Sequence, residues 1–175
     1  MSQIVVVSGN PRPGSRTSTL ASAVGAAIAE RAAIAERAGA SGSGREPGGG
    51  RLTTVDVGEL GVGLLTPGDP ATAAAVAALT EADIIVVATP TYKGSYTGVL
   101  KVLLDQLNAR ALAGKRAVPV VTAGVPPQAA AAEALLRQLL GELGADVVEL
   151  GLAVVESELA ESASIAEKYA AGHDW

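Results

Sequence analysis

Two short runs with almost no polar residue constrain the fold more than anything else in the chain. Ile4-Val5-Val6-Val7-Ser8 is a β-branched run that stops at Gly9, and Asp83-Ile84-Ile85-Val86-Val87-Ala88-Thr89-Pro90 is a second. A strand with only one buried face alternates apolar and polar residues. A strand that is apolar at successive positions is covered on both faces, as in a parallel sheet. Behind the first run, Leu20, Val24, Ala27, Ile28 and Ala32 recur at helical spacing, predicting a helix to about Arg37.

The same alternation continues. Leu52–Val57 reads as a less buried strand, residues 58–69 as a glycine-rich loop, and Pro70 as the first residue of a helix running through Ala82. A helix is predicted over about 97–109, a strand over 115–122, and a helix behind Pro126 and Pro127. A fifth strand begins at Val147–Leu150 and continues through Leu152–Val155 after a bulge at Gly151; a last helix spans about Glu158 to Ala171. Pro119 is awkward inside the fourth strand because it has no ladder N–H, so a bulge or an outward position near an edge is needed. Five strands alternating with five helices describe one doubly wound α/β sandwich, over residues 1–175. The Gly/Ser-rich stretch at about 38–50 has nothing that can pack, and reads as a flexible surface loop inside that single domain.

Composition removes several chemistries. With no Cys, the 175-residue chain offers no thiolate nucleophile, disulfide or Fe–S ligand; its one His, His173, argues against a His-based metal site or a Ser-His-Asp triad. No metal site is expected. A net charge of −5 argues against nucleic acid as a partner. Met1-Ser2-Gln3-Ile4 lacks the basic start of a signal peptide, and no unbroken apolar run reaches membrane-helix length, so a soluble cytoplasmic protein is expected.

The segment Gly9-Asn10-Pro11-Arg12-Pro13-Gly14-Ser15-Arg16-Thr17 lies where ligands bind in such sandwiches, at the carboxyl end of a strand. Two glycines permit tight turns and two prolines stiffen the path. The following helix start, with exposed N–H groups, forms an anion nest. Asn10, Ser15, Thr17 and Ser18 add neutral hydrogen-bonding groups, Arg12 can grip phosphate oxygens with its fork, and Arg16 is a weaker candidate. Neither Gly-x-x-x-x-Gly-Lys-Ser/Thr nor Gly-x-Gly-x-x-Gly is present, so the familiar triphosphate and dinucleotide loops are not matched. Hydroxyls with one arginine suit a terminal phosphomonoester such as that of FMN. A merely capped helix behind a stiff turn explains the same residues.

Two further loops share that edge. Pro90, Thr91, Tyr92, Lys93, Gly94 and Ser95 offer backbone groups and a ring against which a flat ligand can lie, with Tyr96 read as structural and Gly98 as a close-approach position. Thr122 and Gly124 end the fourth strand, Gly124 leaving room for a cofactor. Asp105 reads as a helix-surface charge. No constellation for acid–base or nucleophilic catalysis stands out, which suits a cofactor that carries the chemistry and equally a binding protein.

Gly9-Asn10-Pro11-Arg12-x-x-Ser15-x-Thr17, with Ala88-Thr89-Pro90-Thr91-Tyr92 and Tyr96-Thr97-Gly98-x-x-Lys101, resembles the NADPH-dependent FMN reductase family, closest to its alkanesulfonate-system type. The resemblance reaches about residue 150. It implies a flavodoxin-like fold with a five-stranded parallel sheet in the order 2-1-3-4-5, helices on both faces, and a homodimer or homotetramer. It further implies FMN at the three loops and hydride transfer from NADPH or NADH to flavin N5. Asn10, Arg12, Ser15 and Thr17 then fall on the phosphate pattern, Pro90 to Lys93 on the isoalloxazine loop, and Thr122 and Gly124 on the third loop. Reduced FMN would leave for a partner monooxygenase. The alternatives are a quinone or azo-compound reductase with tightly held FMN, and a flavodoxin-like electron carrier. Three departures stand out: Asn10 replaces a serine, the third loop reads Thr-Ala-Gly-Val-Pro-Pro where the family is richer in glycine, and the helix over Gln128–Leu143 lacks the inserted tyrosine of the sulfonate reductases.

Overall fold

The computed structural model describes residues 2–39 and 51–175. Strands β1 (Gln3–Ser8), β2 (Arg51–Asp56), β3 (Ile84–Pro90), β4 (Arg116–Ala123), β5 (Asp146–Val147) and β6 (Leu152–Val155) form one parallel sheet in the order β2-β1-β3-β4-β5, with β6 also pairing with β4. The helices are α1 (Arg16–Gly39), α2 (Val57–Leu60), α3 (Pro70–Glu81), α4 (Gly98–Leu104), α5 (Pro126–Glu142) and α6 (Ser162–Ala171). This is the flavodoxin-like sandwich. All but the first two residues of the expected loop 38–50 lie outside the described residues; Ala38 and Gly39 continue α1 past Arg37.

The unbroken apolar runs have a direct cause. Val5 and Val7 of β1 pack with Leu79 of α3, Leu100 of α4 and Leu136 of α5. Their neighbours Ile4 and Val6 pack on the opposite side with Leu20, Val24 and Ile28 of α1 and Ala166 of α6. Successive side chains of a strand point to opposite faces, so a central strand with helices on both sides has no solvent face left to mark with polar residues. Val7 sits in register between Val55 of β2 and Val87 of β3, which fixes both faces at once.

Several boundaries differ from expectation. The stretch after β2 is not a loop: Asp56 accepts the Gly58 N–H at 3.1 Å, starting α2, and a 3-10 turn follows over Gly61–Leu65. Helix α4 stops at Leu104 rather than about 109, and a series of turns then carries the chain through Arg110 and Gly114, both with positive φ. Gly98 has open space where a β-carbon would stand, so it is not a close-approach position. The last helix is preceded by a 3-10 turn, Glu156–Glu161.

The fifth strand is interrupted, not merely bulged. Arg116 and Ala117 pair with β5, while Val120 to Ala123 pair with β6. The carbonyl of Ala117 accepts from Val148 N–H at 3.0 Å, and the twofold repeat of a strand turns Pro119 toward the same side. The missing N–H of Pro119 therefore faces the gap between β5 and β6.

Candidate functional site

Strand order changes direction between β1 and β3, because α1 leaves β1 on one face and α4 follows β3 on the other. The loops after these strands splay apart there, which is where doubly wound sheets take ligands. Ser15 organises the first loop as the cap of α1. Its hydroxyl oxygen accepts the Ser18 N–H at 3.2 Å and its carbonyl accepts the Thr19 N–H at 3.0 Å. The backbone N–H groups of Arg16 and Thr17, in the first turn, have no acceptor among the described residues. A 24-residue helix thus presents its positive end at the mouth of the loop.

Other N–H groups of the loop are used to shape it. The Arg12 N–H donates to the Asn10 side-chain oxygen at 2.9 Å, and the Gly14 N–H donates to Asp56 at 2.9 Å across from β2. Asn10, only 5% exposed, therefore braces the turn with its carbonyl oxygen. Gly58 lies against the outside of the loop, where a β-carbon would come within 3.0 Å of the backbone of Pro11, Arg12 and Pro13.

The first and second loops are joined at Gly9. Its N–H donates to the Ala88 carbonyl at 2.7 Å, and its own carbonyl accepts from the buried Thr97 hydroxyl. That hydroxyl oxygen also accepts the Leu100 N–H at 3.2 Å, capping α4. A β-carbon on Gly9 would stand 2.7 Å from that of Leu100, so only glycine permits this approach. Beyond Pro90 the chain makes a tight hairpin: Tyr92 and Ser95 exchange backbone hydrogen bonds at 2.9 and 3.2 Å, with φ of 52° at Lys93 and 81° at Gly94. Tyr92 stays 42% exposed, while Tyr96 packs on the core as expected.

Between these loops is a cleft of about 420 Å³, within the range of small-molecule sites. Of the residues singled out in the sequence, Asn10, Arg12, Ser15, Thr17, Pro90, Tyr92 and Thr122 line it. The buried hydroxyls of Thr17 and Thr122 lie 3.1 Å apart and tie the start of α1 to the end of β4. Ser18, Thr91, Lys93, Gly94, Ser95 and Gly124 do not line it. Ser18 is engaged through its N–H in the α1 cap, and the Thr91 hydroxyl donates to the Thr122 carbonyl at 2.9 Å. Lys93 and Gly94 form the hairpin tip, and Gly124 has open space around it.

Pro13, Gly14, Arg16, Glu156 and Leu159 complete the lining. Arg16 was the weaker sequence candidate, and the two C-terminal residues carry no local signal. Asp56 and Gly58 were likewise missed, although an acidic residue at the end of a strand followed by a short turn is a capping pattern. The Arg12 guanidinium has no partner among the described residues, whereas Arg16 meets Glu156 at 3.4 Å. Among the described residues the cleft is lined by one carboxylate, that of Glu156, and by no nucleophile–base pair; what this arrangement can do is bind and orient an anionic ligand.

An FMN reductase (NADPH) of Escherichia coli strain K12 is 40% identical over 81 residues, which are 46% of this chain and 42% of that protein; the match spans less than half the relative's length. An NADH-dependent FMN reductase, SfnE, of Pseudomonas putida is 28% identical over 90% of this chain and 79% of its own. Among solved structures, the apo form of an NADH:FMN oxidoreductase (EMOB) superposes with a TM-score of 0.75 at 30% identity, covering 98% of this chain and 90% of that one. Residues 2–159 match the profile of one family, and the chain belongs to it: the NADPH-dependent FMN reductases.

Proposed function

We propose that this protein reduces FMN with NAD(P)H, and that the cleft between the first and second loops is where it does so. The observation that carries the proposal is the pairing of an unpartnered Arg12 and a free helix start at one end of the cleft with Pro90 and Tyr92 at the other. The donor set fits FMN: a phosphomonoester dianion calls for a guanidinium fork, hydroxyls and first-turn N–H groups, and all three are present. Arg12, Ser15, Thr17 and the N–H groups of Arg16 and Thr17 would hold the phosphate, and the Thr17–Thr122 hydroxyl pair would lie beneath it. Pro90 and Tyr92 would border the ring, while the Thr91 side chain braces β4 from behind. Bound there, FMN supplies the two-electron acceptor for a hydride from NADPH or NADH. The protein's own part is to hold and orient.

The exposed Tyr92 supports a finer reading, in which reduced FMN is passed to a partner monooxygenase rather than kept for a bound quinone or azo acceptor. Val62 and Leu65 are exposed apolar side chains on the 3-10 turn, and a second copy covering such surface fits a homodimer or homotetramer. No single described helix is long and apolar enough to cross a membrane.

The test is anaerobic rapid mixing of the protein with NADPH or NADH while FMN is titrated. Flavin bleaching that saturates with FMN and depends on the protein is expected. Absence of FMN binding at micromolar concentrations would sink the proposal.

A further inference from the structure

Two arginines face the phosphate end of the cleft, and they are not equivalent. Arg12 has no partner among the described residues, while Arg16 is met by Glu156: Nη2 lies 3.4 Å from Oε2, and Nη1 donates to the Glu156 carbonyl at 3.5 Å. Glu156 itself lines the cleft, entering from the segment that follows β6. A carboxylate and a phosphate present similar oxygens to a guanidinium, so the two compete for the same fork.

We propose that Glu156 is a built-in competitor for the ligand phosphate, occupying Arg16 and thereby setting how long FMN stays bound. The inference rests on the FMN reading given above. Magnitudes decide what the carboxylate can do. Both side chains of the pair are more than half exposed, and an exposed ion pair is worth only about 0–1 kcal/mol. A dianion that also meets Arg12 and a helix start therefore displaces the carboxylate from Arg16. Glu156 cannot close the site, but it lowers the net gain on binding, and its freed negative charge then stands beside the phosphate. The result is a cleft tuned for exchange of flavin between solvent and protein.

The inference is tested by measuring affinity and dissociation rate for FMN and for riboflavin, which lacks the phosphate, in wild type, Glu156→Gln, Arg16→Ala and the double variant. Glu156→Gln should bind FMN about five-fold more tightly, mostly through slower release, at low salt. Riboflavin should be unchanged, high salt should shrink the difference, and the gain should vanish when Arg16→Ala is added. FMN binding that Glu156→Gln leaves unchanged or weakens overturns the inference, as does equal tightening of riboflavin or a gain that survives loss of Arg16. Wild-type protein that binds no FMN overturns the underlying reading instead, so the two failures are distinguishable. Matched melting curves establish that the exposed substitutions leave the fold intact.

Discussion

Asp56, the last residue of β2, accepts the backbone N–H of Gly14 at 2.9 Å with one carboxylate oxygen and that of Gly58 at 3.1 Å with the other. One side chain therefore starts α2 and holds the first loop in shape, with Gly14 at a φ of 62°. Asp56→Ala should cost about 1–2 kcal/mol of stability, the usual value of a lost cap. It should also weaken FMN, because the loop is no longer braced. Urea unfolding and flavin-fluorescence titration of the same variant check both; stability loss with unaltered FMN affinity would show that the brace is irrelevant to the cleft.

Gly58→Ala probes the same loop by steric means. The added methyl would meet backbone atoms of Pro11, Arg12 and Pro13 at 2.8–3.0 Å, and backbone cannot rotate away as a side-chain end can. The loop must shift, and a displacement costing about 1.4 kcal/mol in binding is a ten-fold loss of FMN affinity. Far-UV circular dichroism should remain that of wild type.

Thr97→Val removes one hydroxyl and keeps the shape of the side chain. The Gly9 carbonyl and the Leu100 N–H both lose a partner in a buried setting. A loss of about 1–3 kcal/mol is expected, the cost of leaving a buried polar group unsatisfied. Chemical denaturation measures it, and a neutral outcome would mean that water replaces the hydroxyl.

Arg12→Ala separates phosphate from ring. Hydrogen bonds to charged groups are worth about 1.5–3 kcal/mol, so FMN should bind roughly ten- to a hundred-fold more weakly. Riboflavin should be little affected. Equal losses for the two flavins would reject Arg12 as a phosphate ligand.

A pH effect is expected at the opposite end of the molecule. The Tyr169 hydroxyl donates to the Leu150 carbonyl at 2.7 Å, and burial pushes its pKa from 10.0 up to about 12. A raised pKa means that the fold favours the protonated phenol. The associated stability is complete below pH 10 and is lost as pH rises from there through about 12. Tyrosinate absorbance should show one of the three tyrosines titrating late. Tyr169→Phe should flatten the alkaline fall in stability.

Much of the architecture is visible in the sequence, and the exceptions have physical causes. Ile4–Ser8 and Ile84–Pro90 read correctly as doubly covered strands because Ile4–Val7 and Ile84–Ala88 are apolar at every position. Residues 58–69 read as a loop because their glycines carry no periodicity, whereas the helical turn Val57–Leu60 depends on a cap from Asp56. The cleft shows the same division. Asn10, Arg12, Ser15 and Thr17 are close in sequence, and a strand–turn–helix keeps them together. Glu156 is 140 positions from Arg16 and reaches it only because β6 pairs with β4, a long-range pairing that no local pattern encodes. Conversely, Lys93 directly follows the lining residue Tyr92 yet does not line the cleft, because the chain turns there with φ of 52° at Lys93 and 81° at Gly94.

The gap opposite Pro119 has a consequence for how these molecules behave toward one another. An outer strand offers a row of unused N–H and C=O groups, on which a foreign strand can add itself and begin a fibre. Here that border consists of a two-residue piece and a four-residue piece, with residues 148–151 between them outside any strand. Neither piece is long enough to template an incoming chain. The proline that breaks the ladder from within thus helps keep this side of the sheet from sticking to its own kind.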